Sequence, residues 1–310
     1  MAIEINRNIH LLLAEKNPEV RGGLGAALRM HGYKNVDETS DYQDVISAVS
    51  QGEIDLLVTD ATLEEEDITD LLYKIRHHQF GNNPFLAAIM LTADHTSKNI
   101  NNIINSGADD ILAKPLAPNL LINRIDILTW KRKGFIVTSD YFGPNRREIT
   151  RLGPQPLPII DVPNALKYKA QGKTNMAVLQ RQIDACAKEV NSQKMERHTD
   201  QIGQLIGQIT PQYENFNAND NTTALIERLQ YVSQDLCRRM IGTDKEHVSE
   251  LGSSIIQVVK SILKSPLSPE NKDVRLLKEL GSAIGPAFNA EDHDLKFAAD
   301  ISASVSNRAH

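Results

Sequence analysis

From Asn8 to Trp130, short apolar runs alternate with longer segments of helical period. The alternation predicts strands over 9–14, 35–39, 56–59, 87–91 and 110–113, and helices over 18–31, 41–51, 68–77, 97–106 and 118–130. Three of the strand runs, HLLLA, DLLVTD and FLAAIMLT, are apolar at consecutive positions rather than alternate ones. Strands that are covered on both faces read this way, so the expected architecture is α/β, a doubly wound five-stranded parallel sheet with helices on both sides.

The pattern changes at Lys131. The stretch 131–163 is rich in Pro and Gly, carries Lys131, Arg132, Lys133, Arg146, Arg147 and Arg151, and holds no sustained period, so it reads as an ordered or semi-rigid basic linker. Beyond it the strand signals stop. Helical periods run near 174–209, 221–241, 244–264, 271–285 and 291–304, divided by Pro211, Gly242, the SPLSPE stretch and Gly285-Pro286. Asp244 and 268–270 look like helix starts. The expected organisation is therefore 1–130, a linker over 131–163, and an all-α domain over 164–310. Met176, Leu179, Ile183, Cys186 and Val190 form one apolar stripe, and Ile202, Leu205, Ile206 and Ile209 another, either for an intramolecular bundle or for pairing two chains. Glu250-Leu-Gly-Ser-Ser-Ile255 is echoed in Glu279-Leu-Gly-Ser-Ala-Ile284, too short a match to establish a repeat.

Composition narrows the classes. A net charge of −6 offers no global attraction for phosphate backbones or anionic lipid. The two cysteines, Cys186 and Cys237, both fall in helical segments and suggest buried thiols in a reducing, cytoplasmic setting rather than a disulfide framework. No apolar run is long enough to span a bilayer or form a signal-peptide core. The helical half shows no basic recognition helix, Gly-rich nucleotide loop, metal-spaced Cys/His set or nucleophile elbow, so nucleic acid is an unexpected partner and an enzymatic output is not expected.

Candidate chemistry gathers at the carboxyl ends of the expected strands, where parallel sheets bind ligands: Glu15 and Lys16 after the first, Asp60 after the third, Thr92 after the fourth and Lys114 after the fifth. With the motifs LLAEKNP, LLVTDATL, LTADH and GADDILAKPL, residues 8–130 resemble the receiver domain of two-component response regulators, a flavodoxin-like fold. The resemblance implies Asp60 as phosphoacceptor, Thr92 and Lys114 as contacts to the phosphoryl group, and Mg²⁺ held by Glu15, Asp60 and the Thr62 backbone carbonyl. It also implies a sensor histidine kinase or phosphotransfer protein as partner, and the helix 97–106, strand 110–113, helix 118–130 face as a surface for signalling and homodimerisation. The chemistry is coherent, since a phosphorylated carboxylate needs a cation and donors around its new oxygens.

Two positions leave the family pattern. Lys16 stands where a second acid is usual, and its ammonium could pair with Asp60 and weaken Mg²⁺ binding. Ile111 replaces an aromatic residue that often moves with the hydroxyl. The reading divides between a receiver phosphorylated on Asp60 that controls a helical protein-interaction domain and a degenerate receiver that acts as a phosphorylation-independent adaptor. DNA binding or phosphotransfer in the helical half are further alternatives. For phosphotransfer the candidates are His198 and His247, each of which could equally be a solvated surface histidine.

Overall fold

In the computed structural model of the chain, residues 8–146 and 158–290 are described. They divide into two compact units, with the division inside one helix, between Glu189 and Val190. The expected segment 291–304, Arg147 and Arg151 lie outside the described residues.

The first unit opens with β1 (His10–Ala14), α1 (Pro18–Met30), β2 (Asn35–Thr39), α2 (Tyr42–Gln51) and β3 (Leu56–Asp60). A small hairpin, β4 (Thr62–Leu63) and β5 (Glu66–Asp67), leads to α3 (Ile68–Arg76), followed by β6 (Ala87–Thr92), α4 (Ser97–Asn105), β7 (Asp110–Ala113) and α5 (Pro118–Lys131). The main sheet is wholly parallel, in the order β2-β1-β3-β6-β7. Local chemistry sets the helix starts. Asn17 Oδ1 accepts from the Glu19 and Val20 amides ahead of Pro18, and Asp41 and Asp67 cap α2 and α3 in the same way. Two apolar layers cover the sheet. One joins Leu11, Leu13, Val58, Ile89 and Leu91 to α1 and α5; the other joins Leu12, Leu57, Ala88 and Met90 to α2, α3 and α4. That double burial is why the strand runs are continuously apolar.

The expectation of a linker over 131–163 needs correction. This stretch carries β8 (Phe135–Val137), β9 (Phe142–Pro144) and β10 (Ile159–Ile160), an antiparallel sheet in the order β10-β8-β9, followed by α6 (Ala165–Ala170). The strands are too short to show a period, yet Phe135 and Phe142 are buried edge-on against Phe85. Charge anchors them as well. Buried Asp109 accepts from Arg132 Nε at 2.7 Å and from Arg76 Nη2 at 3.1 Å, and both guanidinium groups lie over the Phe135 ring. Burial lowers the Arg76 pKa to about 10. Leu166 of α6 joins the α1–α5 layer, and Lys169 pairs with Asp55 at 2.6 Å.

Helix α7 (Met176–Glu214) starts in the first unit and ends in the second, where it is followed by α8 (Asp220–Met240), a 3₁₀ turn (Glu246–Val248), α9 (Ser249–Ile262) and α10 (Asn271–Asn289). Ile202, Leu205, Ile206 and Ile209 share one core with Ile226, Leu236, Ile255 and Leu277. Pro211 and Pro286, expected as breakers, lie inside the last turns of α7 and α10. A proline there gives up a backbone bond, but Tyr213, Ala287 and Phe288 beyond them are buried, which offsets that loss. The short sequence echo has a structural counterpart. A Cβ on Gly252 would run into Cys237 Sγ and one on Gly281 into Ile206, so each glycine lets a neighbouring helix approach closely.

Candidate functional site

Register brings the site together. Ala14 pairs with Thr59, Asp60 with Leu91, and Thr92 with Ala113, so the next residues on β1, β3 and β7 open into one crevice. Glu15 is held there by its amide on the Thr39 carbonyl at 3.0 Å, and its Oε1 accepts from the Asn17 amide at 2.9 Å. Arg21 of α1 donates to the Glu15 carbonyl at 2.6 Å. The Lys114 amide is fixed on the Thr92 carbonyl at 2.8 Å. Its ammonium group reaches back to Glu15 Oε2 at 2.5 Å and to Asp60 Oδ1 in direct contact. Glu15, Asp60 and Lys114 thus form one buried ionic cluster at the sheet's carboxyl end. Burial pushes the Asp60 pKa up, and the Lys114 contact opposes that shift.

Thr92 ends β6 in the same crevice, but its hydroxyl is engaged elsewhere. It donates to the Asp94 carbonyl at 3.1 Å and accepts from the Asp94 amide and from Asn99 Nδ2 of α4 at 2.9 Å. Neither Arg21 nor Asn99 carried a sequence signal, because each meets its partner only where the fold brings α1 or α4 back to a strand end. Thr62 lies in the β4–β5 hairpin two residues past Asp60, paired with Asp67.

Lys16 is not where the sequence reading put it. Its side chain is exposed and makes no ion pair among the described residues, while its backbone amide donates to Asp60 Oδ2 at 3.3 Å. Alternation along the extended chain turns Lys16 away from the side occupied by Glu15. The cation between the acids is Lys114. This matters for a metal, because the residues present fall short of a resident Mg²⁺ site. Two carboxylates face the crevice, Lys114 contacts both, and no group of three His, Cys, Asp or Glu side chains gathers among the described residues. Mg²⁺ requires oxygen donors in near-octahedral array, and an adjacent ammonium repels it.

The two histidines considered for phosphotransfer are also placed differently. His198 is fully buried on α7, its Nε2 2.7 Å from Asp235 Oδ2, and His247 is half-buried on the 3₁₀ turn with its Nε2 covered. His198 is thus not a solvated surface residue, whereas His247 keeps its Nδ1 side, bonded to the Asp244 carbonyl, at the surface.

The fold and this crevice define a receiver domain, and comparison with known proteins agrees. The family model for the response regulator receiver domain matches residues 11–126. The swarming motility regulation protein RssB of Serratia marcescens is 32% identical over 127 residues, 41% of this chain and 56% of that protein. The transcriptional regulatory protein GltR of Pseudomonas aeruginosa is 33% identical over 118 residues, 38% of this chain and 48% of that protein. The chain thus spans about half the length of the curated relatives it matches. Among solved structures, a CheY-like receiver domain protein from Methanospirillum hungatei is 22% identical, covering 38% of this chain and 90% of that one with a TM-score of 0.35. The receiver domain of the sensor histidine kinase PA1611 from Pseudomonas aeruginosa, solved with magnesium in its active-site cleft, is 26% identical, covering 38% and 93% with a TM-score of 0.34. The N-terminal part of this chain is a response regulator receiver domain, followed by a helix-rich region.

Proposed function

We propose that Asp60 accepts a phosphoryl group from a sensor histidine kinase or phosphotransfer protein and that the helical unit passes the resulting signal to a protein partner. The supporting observation is the Lys114 ammonium resting on both Asp60 and Glu15. When an Asp60 oxygen forms the new P–O bond, the P–N bond of the donor phosphohistidine breaks and its imidazole keeps the electron pair and takes a proton. Lys114 is then in place to compensate the added oxygens. Thr92 supplies a hydrogen bond once its hydroxyl leaves the Asp94 carbonyl. Beyond its own phosphorylation and dephosphorylation, the receiver performs no catalysis in this reading. Homodimerisation falls to the face of α4, β7 and α5, where Leu120 and Ile127 stand exposed beside the Arg124–Asp110 pair. The burial of His198 against Asp235 weighs against a phosphotransfer role for that histidine.

A second reading has its own observation. With one acid after β1 instead of two and Lys114 already paired with both crevice carboxylates, the domain could signal as an unphosphorylated adaptor. Intact-mass measurement after incubation with acetyl phosphate, with and without Mg²⁺, separates the two. A gain of one phosphoryl group that is lost in Asp60→Asn supports phosphorylation, and no gain under either condition leaves the adaptor.

A further inference from the structure

Away from the receiver crevice, the first unit holds a polar cavity of about 340 Å³ between the end of α5, the 161–164 segment, α6 and the first turns of α7. Lys133, Lys167 and Lys173 line it, and none of the three makes an ion pair among the described residues. Among the described residues, Asp161 is the one carboxylate on its wall. Arg132 also lines it, but its guanidinium is committed to Asp109. The remaining local charge is two positive in excess, in a chain whose net charge is −6. Neighbouring basic residues behave differently: Lys169 is paired with Asp55 and Arg124 with Asp110.

Two aromatic residues complete the wall. The Tyr168 ring is occupied by Lys173 Nζ at 5.4 Å from its centroid, and the Tyr168 hydroxyl donates to the Asn175 carbonyl at 2.9 Å. Trp130, nearly half exposed, leaves its indole available, and Asn164, Gln171 and Gln182 add amide groups. A cavity within the roughly 300–1,000 Å³ range of small-ligand sites, with unpaired cations and an open indole, suits an anion carrying a planar ring. We propose that this cavity binds a phosphate-bearing small molecule, with Lys133, Lys167 and Lys173 taking the phosphate groups and Trp130 stacking on a base. Such a ligand would act on the receiver's own extension, at a site separate from Asp60.

Trp130 is the sole tryptophan of the chain, so its emission reports on the cavity. The full chain is titrated with ADP, pyrophosphate and adenosine, reading Trp130 fluorescence together with calorimetric heat. Saturable binding of ADP and of pyrophosphate that falls by about tenfold or more in the triple variant Lys133→Ala, Lys167→Ala, Lys173→Ala is expected, while Asp60→Asn binds as the parent does. Tighter ADP than pyrophosphate supports the base stacked on Trp130, and equal affinities overturn that stacking. Absence of saturable binding, binding of adenosine as tight as ADP, or indifference to the three lysine substitutions overturns the proposal.

Discussion

The chain buries charge in two opposite ways. In the receiver crevice, two carboxylates share one cation, Lys114, at the end of a sheet where strand ends open to solvent. In the helical unit, one carboxylate serves several cations. Asp235 Oδ2 takes Arg239 Nε and His198 Nε2, both at 2.7 Å, and its Oδ1 takes Arg238 at 2.5 Å, with Lys194 buried beside them. Arg239 and Asn191 exchange two further hydrogen bonds at 3.1 Å. The first cluster can receive an anionic group because its cation is close to solvent. The second lies between α7 and α8, where Arg238 alone of its cations reaches solvent and the cations outnumber the carboxylate that holds them. Similar residue types thus stand at an open strand end in one place and between packed helices in the other, with the ratio of carboxylates to cations reversed.

The comparison breaks most visibly at Asp235. Asp235→Ala leaves Arg239 and Lys194 buried without their carboxylate, so we expect about 3–5 kcal/mol lost from the helical unit in denaturant unfolding. A loss as small as that of a surface substitution would mean that the cluster is hydrated and that the contrast fails. Phe135→Ala, which leaves a hole under the two guanidinium groups that hold Asp109, should cost the first unit about 3–5 kcal/mol and loosen the β8–β10 sheet, seen as faster amide exchange there.

Acidity separates the clusters further. Burial and the neighbouring arginines lower the Lys194 pKa from 10.5 to about 7. Between those values the unfolded chain binds the proton and the folded one does not, so this lysine makes the helical unit more stable as pH rises from about 7 to 10.5, with no further change from it below 7. Lys194→Met should flatten that slope in pH-dependent unfolding. His198, whose pKa burial also lowers, acts in the same sense at lower pH, through the range below 6.5.

At Asp60 the sign reverses. A carboxyl whose folded pKa lies above 3.8 loses stability as it ionises, so at neutral pH Asp60→Asn should raise the first unit's melting temperature, on the order of 2 °C. An unchanged or lowered midpoint would mean that Lys114 fully offsets the burial of this acid. The smallest effect is expected at Lys16. With its side chain in solvent, Lys16→Ala should alter stability by less than about 0.5 kcal/mol and leave phosphorylation by acetyl phosphate unchanged.

The order of the α/β elements and the place of Asp60 at a strand end were legible because period and turn chemistry are local. The β8–β10 sheet was not, since strands of two and three residues carry no period and their hold on the receiver depends on Asp109, Arg76 and Arg132 meeting across the fold. The sequence by itself determined which residues could carry charge at the strand ends. Only the tertiary structure decided that Lys114, and not Lys16, sits between Glu15 and Asp60, and that His198 is sealed against Asp235. The reason is physical: a side chain's class is written in the chain, but its partner is whichever group the packed backbone brings within reach, and its access to water follows from what lies over it.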